Sequence, residues 1–250
     1  MRLPAAVLWD MDGTIVDTEP YWMAAEVELF ASYGIDWTHE ESMQVVGMGL
    51  WEAAELFRRR GVGMAADDIV AHLTEQVRRR LADDGVPWRP GARELLEALR
   101  EGGVPTALVT MSIRSMAEDV VRAIPFDAFD VLVTGDEVDE PKPHPEPYLR
   151  AAELLGVDIA DCVAIEDSPA GVTSASASGA LALGVPNILD LRGVAYDVLW
   201  DTLDGRSPAD LAALLADRRR EAASDGPVSD ASASDAPASD ASATGEEVSA

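Results

Sequence analysis

The chain has 250 residues, 48% of them hydrophobic, and a formal net charge of -27. That is enough to bury one large core, or a core with a smaller second unit. So acidic a surface repels nucleic acid and anionic membrane, so neither is expected as a partner. A single cysteine, Cys162, excludes a disulfide within the chain and reads as a buried structural thiol.

The first apolar run, Ala5 to Trp9, is too short to span a bilayer and lacks the flanks of a secretory signal, so a cytoplasmic protein is expected. The run reads as a strand buried on both faces, and it stops at Asp10, Asp12 and Gly13 in "LWDMDGT". In an open α/β sheet the C-terminal edge of such a strand borders a ligand crevice, which would place both acids in a site. An Asx-type turn that merely ends a strand is the alternative reading of the same residues.

Residues from about 18 to 85 lack β-branched runs and read as amphipathic helices, forming an all-helical insertion. In "YWMAAEVELFASYG" Tyr21, Met23, Val27 and Phe30 recur near helical spacing, and Gly34 is expected to end the helix. A second helix, "AADDIVAHLTEQVRRRLADDG", ends at Gly85. Pro87 and Pro90 then reset the chain. From Gly91 helices alternate with strands: "ARELLEALREGG", "VPTALVT", "RSMAEDVVRAI", "FDVLVTG", "PEPYLRAAELLG", "DCVAIED", "PAGVTSASASG" and "ALALGV". Short β-α units of this kind imply an α/β fold, with a parallel sheet covered by helices on both faces and the first strand joining it across the insertion. The expected domains are therefore a core of residues 1–17 and 86–222, an inserted cap of 18–85, and a tail from 223. That tail, 223–250, repeats Ser, Ala and Asp without a basic residue, and its composition predicts disorder.

Three strands end in residues suited to phosphate chemistry: Asp10 and Asp12, then Thr110 and Ser112, then Glu166 and Asp167. Lys142 lies in the loop "DEPKPHPEPY" and is the chain's only lysine, every other basic residue being Arg. A compact ammonium can bridge a phosphate and a carboxylate where a planar guanidinium cannot. Carboxylates gathered at one edge need a cation, and oxygen ligands with open positions suit Mg²⁺. One carboxylate could attack phosphorus while a second, two residues on, protonates the leaving oxygen and later activates water. Asp10 and Asp12 fit those roles, with Thr110, Ser112 and Lys142 on the phosphate oxygens.

Taken in order, "DMDGT", "ALVTMS", "KPHPEPY" and "IEDSPAG" resemble the four motifs of the haloacid dehalogenase superfamily, in the branch of β-phosphoglucomutase and small-molecule phosphatases. The likeness covers roughly residues 5 to 190. It implies a Rossmann-like core with an inserted helical cap, Asp10 as nucleophile and Asp12 as acid and base. It also implies Mg²⁺ on the Asp10 side chain, the Asp12 backbone carbonyl and Asp167, with Glu166 in or next to the ligand set. Trp22 stands where the mutases carry a cap histidine and Leu50 where they carry a substrate-binding arginine, which counts against a mutase. The cap has no lysine for the Schiff base of a phosphonoacetaldehyde hydrolase, and Asp12 argues against a dehalogenase. The expected protein is a monomeric Mg²⁺-dependent phosphatase of a small phosphorylated metabolite. A β-phosphoglucomutase-type mutase is the alternative, and a phosphoacceptor switch or inactive binding protein is the alternative from another class.

Other features carry less. Trp22 reads as core or as a stacking surface, and Gly47 and Gly49 as a substrate-facing loop or a turn. The Arg58–Arg60 and Arg78–Arg80 runs read as solvated helix faces. His39, His72 and His144 have no metal-ligand spacing and receive no catalytic role.

Overall fold

In a computed structural model, which describes residues 2–224, the chain forms a six-stranded, all-parallel sheet with helices on both faces. The first strand, β1 (Ala6–Trp9), is followed by four inserted helices: α1 (Glu19–Ser32), α2 (His39–Met43), α3 (Leu50–Arg59) and α4 (Ala66–Asp84). After them come α5 (Ala92–Glu101), β2 (Thr106–Val109), α6 (Arg114–Ala123), β3 (Val131–Val133), α7 (Glu146–Leu155), β4 (Cys162–Glu166), α8 (Pro169–Ser178) and β5 (Leu181–Gly184). A short β6 (Val198–Leu199) and α9 (Pro208–Ser224) complete the fold.

The sheet order is β3-β2-β1-β4-β5-β6, so β1 lies between β2 and β4 although the insertion separates it from both in sequence. Its register sets Trp9 beside Leu108 on one side and Ile165 on the other. The strand order therefore reverses at β1, and a crevice opens at that switch point beyond the C-terminal strand ends. Every residue of β1 is buried, with alternate side chains entering different cores. Val7 and Trp9 join Leu108, Val163 and Ile165, whereas Ala6 and Leu8 join Ala107, Val109 and Tyr148. Two covered faces explain why the strands read as continuous apolar runs.

The insertion leaves and re-enters the sheet along paired segments. The Asp17 amide donates to the Pro87 carbonyl at 2.7 Å, and the Arg89 amide to that of Ile15 at 2.8 Å. Inside it, Phe30 stacks on Trp37 with ring centres 4.1 Å apart, and Phe57 meets both edge-on. A capping box between Thr38 and Glu41 starts α2.

Three expectations need correction. The buried face of α1 is Trp22, Ala25, Glu26, Leu29 and Phe30, and Val27 is exposed. One side of α1 packs on α4 while another borders a cavity, so apolar spacing alone misplaces its inner face. The strand β6 and the helix α9 were not expected. β6 is two residues long, and α9 follows a stretch rich in Asp and Gly that resembles a loop. Finally, Ala223 and Ser224, assigned by composition to the tail, belong to α9; the rest of the predicted tail lies outside the described residues. Cys162 is buried and free, with burial pushing its thiol up to about 12, as befits a packing residue. Among the described residues no helix is long and apolar enough to cross a membrane.

Candidate active site

The crevice at the switch point gathers the motif residues in one place. Asp10 follows β1 directly, held by its amide to the Ile165 carbonyl at 3.0 Å. Its Oδ1 accepts a hydrogen bond from the Lys142 ammonium at 2.7 Å. Its Oδ2 is buried and has no hydrogen-bond partner. Lys142 also donates to the Val109 carbonyl at 2.8 Å and forms an ion pair with Glu166 Oε1 at 2.6 Å. Burial alone would lower the pKa of Lys142, but the negative charges of Asp10 and Glu166 reverse the effect and hold it above the ordinary lysine value.

Asp12, two residues on, faces a different set of groups. Its Oδ1 accepts from the Thr18 hydroxyl, and its Oδ2 from Ser112 at 2.7 Å and Thr110 at 3.4 Å. Burial raises its pKa. Hydrogen bonds from Thr18 and Ser112 oppose that rise, and the charge of Asp10 adds to it. The chain turns between the two acids at Gly13, where φ is +89° and a Cβ would stand 2.0 Å from Asp167 Oδ2. Glycine is needed there both for the left-handed backbone and for the approach of that carboxylate.

Carboxylate oxygens of Asp10, Glu166 and Asp167 lie within 4.8 Å of one another, and all three residues are buried. Burial, together with the charge of Asp10, raises the pKa of both Glu166 and Asp167. Three such acids are served by one ammonium, and an additional cation would relieve the remaining repulsion. Glu166 is the most tightly held: Tyr148 donates to its Oε1 at 2.5 Å, and Gly171 in the first turn of α8 leaves room for its carboxylate.

The inserted helices α1, α3 and α4, with the loop before α3, cover this edge. The resulting cavity, of about 130 Å³, is lined on the core side by Asp10, Asp12, Thr110, Ser112, Lys142 and Asp167. On the cap side, Trp22, Gly47, Gly49 and Leu50 face it, as do two acids that sequence reasoning passed over, Glu19 and Glu26. Burial and neighbouring carboxylates push Glu19 up to about 8, and burial pushes Glu26 up to about 7 against hydrogen bonds from Ser42 and Trp37. The only early signal was spacing: Glu19, Trp22 and Glu26 share one helical face, but glutamates on a helix are ordinarily taken to face solvent. Tyr148 and Gly171 were also missed. The Arg58–Arg60 and Arg78–Arg80 runs do not line the cavity, and Arg58, Arg60, Arg78 and Arg80 pair with Glu55, Glu41, Asp119 and Glu28.

A parallel sheet with carboxylates at its switch point, one buried ammonium and a helical cover gives this α/β protein an enclosed, acidic candidate active site. The family model for haloacid dehalogenase-like hydrolases matches residues 4–179, and the chain belongs to that family. It is 31% identical over 185 residues to hexitol phosphatase B of Escherichia coli (strain K12), covering 72% of this chain and 83% of that protein. It is also 31% identical over 178 residues to a phosphorylated carbohydrates phosphatase of Thermotoga maritima, covering 70% and 81%. Among solved structures, CbbY from Rhodobacter sphaeroides in complex with xylulose-(1,5)bisphosphate superposes with a TM-score of 0.76 at 28% identity, covering 84% of this chain and 99% of that one.

Proposed function

We propose that the chain is a Mg²⁺-dependent phosphatase that hydrolyses a small phosphorylated sugar or polyol through an aspartyl phosphate on Asp10. The observation that carries this reading is the Asp10 carboxylate itself, with Oδ1 tethered to Lys142 and Oδ2 buried without a partner. An orphaned oxygen beside two further carboxylates also fits a hard cation. Asp10 and Asp167 would hold Mg²⁺ with the backbone carbonyl of Asp12, and Glu166 would position Lys142 from beside them. When bound, the ion neutralises charge on the phosphate.

The protein residues divide the chemistry as follows. Asp10 attacks phosphorus, a bond forms between its carboxylate oxygen and phosphorus, and the bond from phosphorus to the leaving oxygen breaks. Asp12, whose pKa is raised, gives that oxygen its proton. In the second step Asp12 takes a proton from water as the water oxygen bonds to phosphorus, which releases inorganic phosphate and restores Asp10. Lys142 and the Thr110 and Ser112 hydroxyls hold the non-bridging oxygens. The cap closes over the site and excludes bulk water, so that hydrolysis waits for a bound substrate.

Phosphate release from a panel of sugar and polyol phosphates, with and without Mg²⁺, tests the reading. Asp10→Asn is expected to abolish turnover while the circular dichroism spectrum stays unchanged. Substantial turnover in that variant refutes the mechanism.

A further inference from the structure

The cavity differs in chemistry from one end to the other, and the difference bears on the part of the substrate that leaves. Resting on the phosphatase reading above, this concerns the group attached to the phosphate. At the cap end, α1 presents Glu19 and Glu26, two turns apart on one helical face. Glu26 is 7% exposed, and its Oε2 accepts from the Trp37 indole at 3.3 Å. That indole N–H is shared with Ser42 Oγ at 2.9 Å, so the carboxylate is held in place from behind.

Among the described residues that line the cavity, Lys142 is the sole base, and Asp10 and Glu166 already face its ammonium. Leu50 and Met48 add apolar wall on the cap side of the same cavity. A second phosphate or a carboxylate on the leaving group would therefore meet two acids and no base, in a site withdrawn from water. Above about pH 7, where Glu26 is ionised, such juxtaposition is a rejecting element. Hydroxyl groups would instead find acceptors in the same two side chains.

We infer that the pocket takes the monophosphate of an uncharged polyol or sugar and rejects substrates whose leaving group carries a second anion, with Glu26 as the specificity-determining residue. In this the chain departs from the structural relative solved with a bisphosphate and resembles the hexitol phosphatase.

Two substrates that differ at one carbon provide the test: glucitol 6-phosphate and 6-phosphogluconate share chain length and phosphate, but the second ends in a carboxylate. At pH 8 the full-length enzyme is expected to favour glucitol 6-phosphate in kcat/KM by at least ~10-fold, the factor a single like-charge contact supplies. Glu26→Gln keeps an acceptor for the Trp37 indole and removes the charge, and should narrow the ratio mainly by raising activity on 6-phosphogluconate. Met48→Lys, which adds a cation to the same wall, should narrow it too and serves if the first variant does not fold. A ratio near one in the unaltered enzyme, or a ratio that neither variant moves, overturns the inference. If no phosphate monoester is hydrolysed at all, the phosphatase reading falls and this inference with it, whereas equal hydrolysis of the pair removes the inference alone.

Discussion

Replacing Gly171 by alanine should destabilise the protein, although helix propensity alone predicts a gain of about 1 kcal/mol for that exchange. Gly171 lies in the first turn of α8, and a Cβ there would stand 1.9 Å from Glu166 Oε2 and 2.1 Å from Oε1. Side-chain carbons do not come within 3.0 Å of such atoms, so the carboxylate or the helix turn must withdraw by about 1 Å. Glu166 cannot do so freely, because Lys142 holds it at 2.6 Å and Tyr148 at 2.5 Å in a fully buried setting. A displacement of that size breaks both contacts, and an uncompensated buried ion pair costs about 3–5 kcal/mol. The net loss is about 2–4 kcal/mol after the propensity gain, which lowers Tm by roughly 4–16 °C for a chain of this size. Because Lys142 is anchored by Glu166, kcat should also fall, and misplacement by ~1 Å can cost about 100-fold. Thermal melts with phosphate-release kinetics measure both effects. Gly49→Ala serves as control, since a Cβ there meets nothing within 4 Å and the loss should stay within about 1 kcal/mol. A Gly171→Ala protein that melts within two or so degrees of the parent and turns over normally would refute the claim that Glu166 is clamped.

Two further outcomes follow from the buried charges. Lys142→Met should lower kcat/KM for every phosphate monoester by a similar factor, because it removes a contact to the group they share, and should cost about 3–5 kcal/mol in urea unfolding by leaving Asp10 and Glu166 without their ammonium; selective loss for one substrate would contradict the assignment. Glu26 has its pKa raised to about 7 from an ordinary 4.5, so the folded state holds its proton more tightly than the unfolded one, and this contribution to stability is full below about 4.5 and lost as pH rises through 7. Glu26→Gln should therefore match the parent at pH 4.5 and exceed it at pH 8.5 by on the order of 2–3 kcal/mol in urea melts, and an unchanged difference across that range would show that Glu26 is not desolvated.

The sequence by itself determined the class of fold and the motif residues that gather on the core side of the cavity, but not the acids of the cap side. Apolar runs closed by Asp, Thr or Glu mark strands buried on both faces, and their alternation with helices leaves a parallel sheet as the architecture that satisfies both periods. Asp10, Asp12, Thr110, Ser112, Lys142, Glu166 and Asp167 were legible because strand ends of a parallel sheet share one edge, a consequence of topology that needs no coordinates. Only the tertiary structure decided which of these groups touch. The spacing of Asp10 and Asp12 does not reveal that one carboxylate faces an ammonium and the other a ring of hydroxyls, because that depends on how loops far apart in sequence meet. Val27 and Glu26 are adjacent, and local hydropathy ranks them in the wrong order for burial. The packing of α1 against α4, and of Trp37 behind Glu26, reverses that order. Gly171 likewise reads as a helix residue of poor propensity until the fold brings the Glu166 carboxylate against it. Periodicity is a property of neighbouring residues, whereas burial of a charge and the space it needs are set by partners that only the folded chain brings near.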